Sequence, residues 1–117
     1  MINGEAFNFG PRAEQNHTVE DLLIDLSRYW DFKDVNDAYK VTANIPFHEA
    51  ELLKLNCDKA LSHLKWKANL NYKDTVKFTS EWYYDYYKKD KKIFEKTLNQ
   101  ITDYENMAKE KALKWTE

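Results

Sequence analysis

The sequence is poor in glycine, cysteine and proline, with two, one and two of each among 117 residues. Gly4 and Gly10 stand six apart, so this chain can write neither a G-x-G-x-x-G dinucleotide fingerprint nor a P-loop. Both loops need glycine because backbone must approach phosphate with no Cβ in the way. A lone cysteine excludes an internal disulfide framework and suits a reducing compartment. Charge of one sign is also lacking: 18 Lys and Arg face 20 Asp and Glu, spread along the chain, which argues against a nucleic-acid binder that relies on a basic face. No apolar run approaches the ~18 residues that span a bilayer. Residues 1–15 lack the charged-then-apolar layout of a signal peptide. A soluble, cytoplasmic, single-domain protein is expected.

Aromatic residues, by contrast, are plentiful at 15%. Residues 5–9 alternate around Phe7 and Phe9 and stop at Gly10-Pro11, which predicts a short strand ending in a turn. Thr18 and Asp21 resemble a capping box, and Val19, Leu22, Leu23, Leu26 and Tyr29 or Trp30 recur as the stripe of an amphipathic helix ending near Asp31. The run AYKVTA at 38–43 predicts a second strand, broken by Asn44-Ile45-Pro46. ELLKL at 51–55 is ambiguous and is read as a third, short strand, because Asn56 is a plausible N-cap for a helix over 57–64. After a connector at 65–70, Asn71 and Asp74 open another helix carrying Val76, Thr79, Tyr83 and Tyr86 on one face. The charged patch at 88–92 separates it from a last helix bearing Phe94, Leu98, Ile101, Ala108, Ala112 and Trp115. The expected fold is thus a helix-rich α/β fragment with two or three short strands and about four helices. Such a small sheet is marginal unless it joins a larger one.

Few residues form a recognisable chemical constellation. His17, His48, His63 and Cys57 lack the convergent spacings of metal ligands. Cys57 at a helix start could have a lowered pKa, but a small half-buried residue is the commoner outcome. Tyr84 and Lys88 have Y-x-x-x-K spacing, which Tyr29–Lys33 and Tyr87–Lys91 share by accident in a chain with eight tyrosines. It is not read as catalytic. The rings at 82–87 could stack on bases or sugars, though packing is favoured. The sharpest spot is Phe47-His48-Glu49-Ala50, where an acid on a loop could accept hydrogen bonds from vicinal hydroxyls.

In order, GEAFNFGP (4–11), TVEDLL (18–23), FHEAELLKLNCDKA (47–60), LKW (64–66), SEWYYDYY (80–87) and IFEKTLNQITDYENMAKEK (93–111) cover nearly the whole chain. Together they resemble the C-terminal third of the CDP-glucose 4,6-dehydratase family, within the extended short-chain dehydrogenase/reductases. The resemblance implies a single nucleotide-sugar-binding region over 1–117, with a strand–helix–strand unit at 5–43, a substrate loop at 44–56 and a helical part at 57–117. It implies NAD-dependent conversion of CDP-glucose to CDP-4-keto-6-deoxyglucose by the complete enzyme. NAD and the catalytic Tyr–Lys pair would then reside on a Rossmann domain that this chain lacks, so the chain binds no cofactor and is inactive alone. Its partners would be the CDP-sugar and a separate Rossmann-domain chain.

Carried over by resemblance, Glu49 matches the acid expected on the nucleotide ribose, and His48 stands at the same pocket wall. Asn16 falls near a nucleotide-contacting position. Pro46 occupies a site where relatives place an arginine or histidine near the diphosphate, and Lys65-Trp66 replaces the common Gly-Trp, putting a side chain at a tight turn. The alternative reading is a non-catalytic helical interaction module, or a degenerate remnant that binds no nucleotide-sugar.

Overall fold

A computed structural model describes residues 2–12, 14–42, 55–89 and 93–117. Four α-helices make up the framework: α1 (Val19–Ser27), α2 (Asp58–Leu64), α3 (Tyr72–Tyr84) and α4 (Ile93–Glu110). A π-helical turn, Asp85–Lys89, continues α3, and 3₁₀ turns occupy Val35–Asp37 and Lys114–Thr116.

The helix starts follow local side-chain chemistry. At α1 the Asp21 amide donates to Thr18 Oγ1 at 3.0 Å, while the Thr18 amide donates to the Asp21 carboxylate at 2.9 Å. At α3 the Asp74 amide donates to Asn71 Oδ1 at 2.8 Å, and the return bond from the Asn71 amide is 3.4 Å. Each reciprocal pair satisfies N–H groups that a helix start leaves unpaired. For α2 the sequence expectation is one residue early. Cys57 is the cap, and Asn56 acts through an Asx turn in which its Oδ1 accepts from the Asp58 amide at 2.8 Å.

No strand occurs among the described residues, which overturns the expected α/β class. The physical reason is the lack of a pairing edge. Residues 5–9 belong to no regular element, and their alternation serves contacts with α2 and the connector after it: Phe7 meets His63 edge-on at 6.4 Å, Phe9 meets Trp66 at 5.0 Å, and Lys59 pairs with Glu5 at 2.6 Å. Residues 39–42 likewise belong to no regular element, and Val41 is 75% exposed. Of the third expected strand, residues 51–54 lie outside the described residues, and Leu55 belongs to no regular element.

The expected end of α1 near Asp31 also shifts, because hydrogen-bonded turns replace the helix after Ser27. Helix α4 stops at Glu110, so Ala112 and Trp115 do not extend its stripe. Ala112 takes a left-handed φ of 48°, and Trp115 folds back to stack on Tyr104 at 5.9 Å.

Helix α1 packs on α3, and α3 packs on α4. The buried positions are small: Ser27 on α1, Ala60 on α2, Val76 and Ser80 on α3, and Ala108 on α4, joined by Asn69. Small residues at a crossing let helix backbones approach closely. Polar side chains then supply much of the α3–α4 fastening. The Trp82 indole N–H donates to Thr97 Oγ1 at 2.9 Å, Lys96 pairs with Glu81 at 2.9 Å, and Gln100 donates to the Phe78 carbonyl at 2.8 Å. Asn69 donates to the Tyr104 carbonyl at 2.7 Å, and Lys111 donates to the Asn69 carbonyl.

The chain is open for its length. Its radius of gyration is 17.5 Å, against about 13 Å for a compact domain of this size. Among the described residues, no helix is long and apolar enough to cross a membrane.

Candidate functional site

The three residues singled out in sequence are not brought together within the described structure. Glu49 and His48 lie outside the described residues, as does Pro46. Asn16 is exposed in the loop before α1, two positions ahead of the Thr18 cap.

Beside Asn16 stands an arrangement that spacing does not reveal. The His17 and Tyr72 rings stack with centroids 3.5 Å apart and planes at 8°. Tyr72, the first residue of α3, donates its hydroxyl to the Asp25 carboxylate on α1 at 3.0 Å, and Arg28 pairs with Asp25 at 3.2 Å. Partial burial first, and the Asp25 carboxylate second, push the Tyr72 hydroxyl up to about 12. At neutral pH the phenol is therefore a hydrogen-bond donor rather than a base. His17 and Tyr72 are 55 positions apart and joined by no motif, so only the α1–α3 packing discloses the pair.

The Y-x-x-x-K spacing at Tyr84 carries no catalytic geometry. Tyr84 donates to Asp31 at 2.8 Å, and this bond to a carboxylate raises its pKa. That shift opposes the phenolate that an acid/base tyrosine needs. The cation over its ring is Lys89, 5.4 Å from the centroid, which also pairs with Asp85 at 3.0 Å. The neighbouring rings largely pack on one another: Trp82 stacks on Tyr86 at 5.3 Å, Tyr83 on Tyr87 at 6.3 Å, and Trp30 meets Tyr84 edge-on at 5.9 Å.

Among the described residues, no group of three or more His, Cys, Asp and Glu side chains could hold a metal ion. Gly4, at φ +82°, sits in a turn with open space around it, and a Cβ on Gly10 would touch Cys57 Sγ at 3.4 Å. Neither glycine opens a helix, where a pyrophosphate would meet free N–H groups.

The chain is 35% identical over 81 residues to CDP-glucose 4,6-dehydratase of Salmonella typhimurium. This chain is similar to one region of that enzyme. The match takes in 68% of this chain and 21% of the dehydratase, so the chain spans about a fifth of its curated relative. No protein-family profile matches the chain, and no solved structure matches it.

Proposed function

We propose that this chain is a substrate-binding region of a sugar-nucleotide 4,6-dehydratase acting in deoxysugar biosynthesis. The likeness to CDP-glucose 4,6-dehydratase over 81 residues is the observation that carries this reading. In it, Glu49 accepts hydrogen bonds from the nucleotide ribose, while His48 and Asn16 contribute to the pocket wall. The reaction itself, including the NAD that accepts and returns hydride, belongs to a Rossmann domain outside these 117 residues. This chain's part is to bind and orient the nucleotide half of a CDP-sugar, and it is inactive alone.

Two measurements test the proposal. Purified chain incubated with CDP-glucose and NAD is expected to give no 4-keto product, and turnover would overturn the division of labour. With a Rossmann-domain partner supplied, Glu49→Ala is expected to weaken CDP-sugar binding by roughly ten- to a hundredfold, the loss of one charge-assisted hydrogen bond. An unchanged dissociation constant would remove Glu49 from the site.

A second reading, a helical interaction module, is favoured by one specific observation. Phe94, Leu98 and Ile101 lie at helical spacing on α4, and each is 47% or more exposed. This stripe gives α4 an apolar face suited to a partner. A partner that engages the stripe while CDP-sugar binding is undetectable would favour the module.

A further inference from the structure

At the end of the molecule where the C-termini of α2 and α4 converge, an open cleft of about 410 Å³ collects cations from three parts of the chain. Arg12 comes from the N-terminal segment, Lys65 and Lys67 from the connector after α2, and Lys111 and Lys114 from the turn after α4. Among the described residues, no acidic side chain lines it. This accumulation stands out in a chain of formal net charge −2.

Helix C-termini attract cations by themselves, each carrying roughly half a negative charge, and that accounts for part of the cluster. Lys65 donates to the Ser62 carbonyl at 2.8 Å, and Lys111 donates to the Asn69 carbonyl. Both are thereby held in place. Two helix ends offset only about one positive charge, against five from the cleft's side chains. Arg12, Lys67 and Lys114 are exposed, and no carboxylate of the described residues pairs with them. Two backbone reversals shape the rim, at Lys65 (φ 56°) and Ala112 (φ 48°). Trp115 stacks one face on Tyr104 and remains 49% exposed.

The geometry points to a binding site for a diphosphate group, gripped by Arg12, Lys67 and Lys114 while Lys65 and Lys111 hold the rim. Three separated, unpaired cations suit linked phosphates, because an Arg fork can take one phosphate while lysines meet the other. The cleft's volume lies in the range of small-ligand pockets. Inorganic pyrophosphate and a nucleoside diphosphate share this chemistry, and Trp115 offers a face that only the latter would use. The site includes none of Glu49, His48 or Asn16, so it stands or falls apart from the dehydratase reading.

The test is a titration of the full chain with pyrophosphate at fixed ionic strength, followed through backbone amide shifts in heteronuclear NMR. Saturable shifts confined to residue 12, residues 65–68 and residues 111–115 are expected, with sulfate and chloride producing none at matched ionic strength. The double variant Lys67→Ala, Lys114→Ala should weaken binding by ~10-fold or more, as for hydrogen bonds to charged groups. Its unchanged far-UV circular dichroism would show that the fold survives. ADP binding more tightly than pyrophosphate, with the gain lost in Trp115→Leu, would identify a nucleotide ligand. Equal binding of the two would identify the inorganic one. Absent shifts, shifts equally produced by chloride, or a double variant that binds as well as the parent would each overturn the site.

Discussion

The α3–α4 pair and the α2 region bury similarly small residues, yet they are held by different means. Between α3 and α4, Trp82 to Thr97, Lys96 to Glu81 and Gln100 to the Phe78 carbonyl tie facing turns together along helices of 13 and 18 residues. The seven-residue α2 and the connector after it lean on the N-terminal arm through Phe7, Phe9 and the exposed Lys59–Glu5 pair. Isolated helices this short are marginal in water, and exposed ion pairs add little. Length and part-buried cross-links thus separate a durable half from one that opens first.

The strongest way to break this contrast is Trp82→Ala. It deletes the Thr97 hydrogen bond and the stack on Tyr86. The expected cost is about 2–3 kcal/mol, below that for a fully buried Trp because the ring is only half-buried. Urea unfolding measures it, and a loss under about 0.5 kcal/mol, the size of an ordinary surface substitution, would show that the cross-links are not what holds α3 to α4.

The α1–α3 junction sharpens the contrast through pH. With Tyr72 raised to about 12 in the fold and near 10 when unfolded, its contribution is fully present below pH 10. It is lost as pH rises through 12, since the unfolded chain gives up the proton first. Stability should fall across that window and fall less steeply in Tyr72→Phe. Parallel slopes would remove Tyr72 from the balance.

Smaller still is the effect at Lys65, whose left-handed backbone suits glycine. Lys65→Gly relieves about 1–2 kcal/mol of steric cost and adds about 0.4–1 kcal/mol of unfolded-state freedom. A net gain of about 0.5–1 kcal/mol is expected in denaturant melts, and destabilisation would indicate that the Lys65–Ser62 bond matters more. The least effect belongs to Glu5→Gln. Its carboxyl is held below the usual range by the hydrogen bond and charge of Lys59. The pair's contribution is therefore present above the unfolded pKa and lost as pH falls. The variant should leave the global melting temperature unchanged while hydrogen exchange quickens in residues 5–10, and a shifted global melt would unite the two regions.

What the sequence discloses follows from how local each signal is. The capping boxes at Thr18 and Asn71 lie within four residues and appear as expected. The helical stripe of α4 was legible too, apart from Ala112 and Trp115, which lie past a left-handed turn. The strand expected at 5–9 failed because alternation at Phe7 and Phe9 reports a one-sided contact, not its partner; here the partners are His63 on α2 and Trp66 just after it. At Lys65, where the resemblance puts a side chain in place of the common glycine, the backbone takes a left-handed φ of 56° that residue type alone does not announce. Of the candidate site, Asn16 is an exposed loop residue and Glu49 and His48 lie outside the described residues, whereas the His17–Tyr72 stack depends on packing across 55 positions.

The scarcity of large shielded side chains reaches into calorimetry. Ser80 is the largest among the described side chains with under 2% of its surface accessible. Melting therefore uncovers little new oily surface for water to order. The heat-capacity increment should fall below the ~1.4–1.8 kcal/mol/K typical of a compact chain of this length, leaving a shallow dependence of stability on temperature and a broad endotherm.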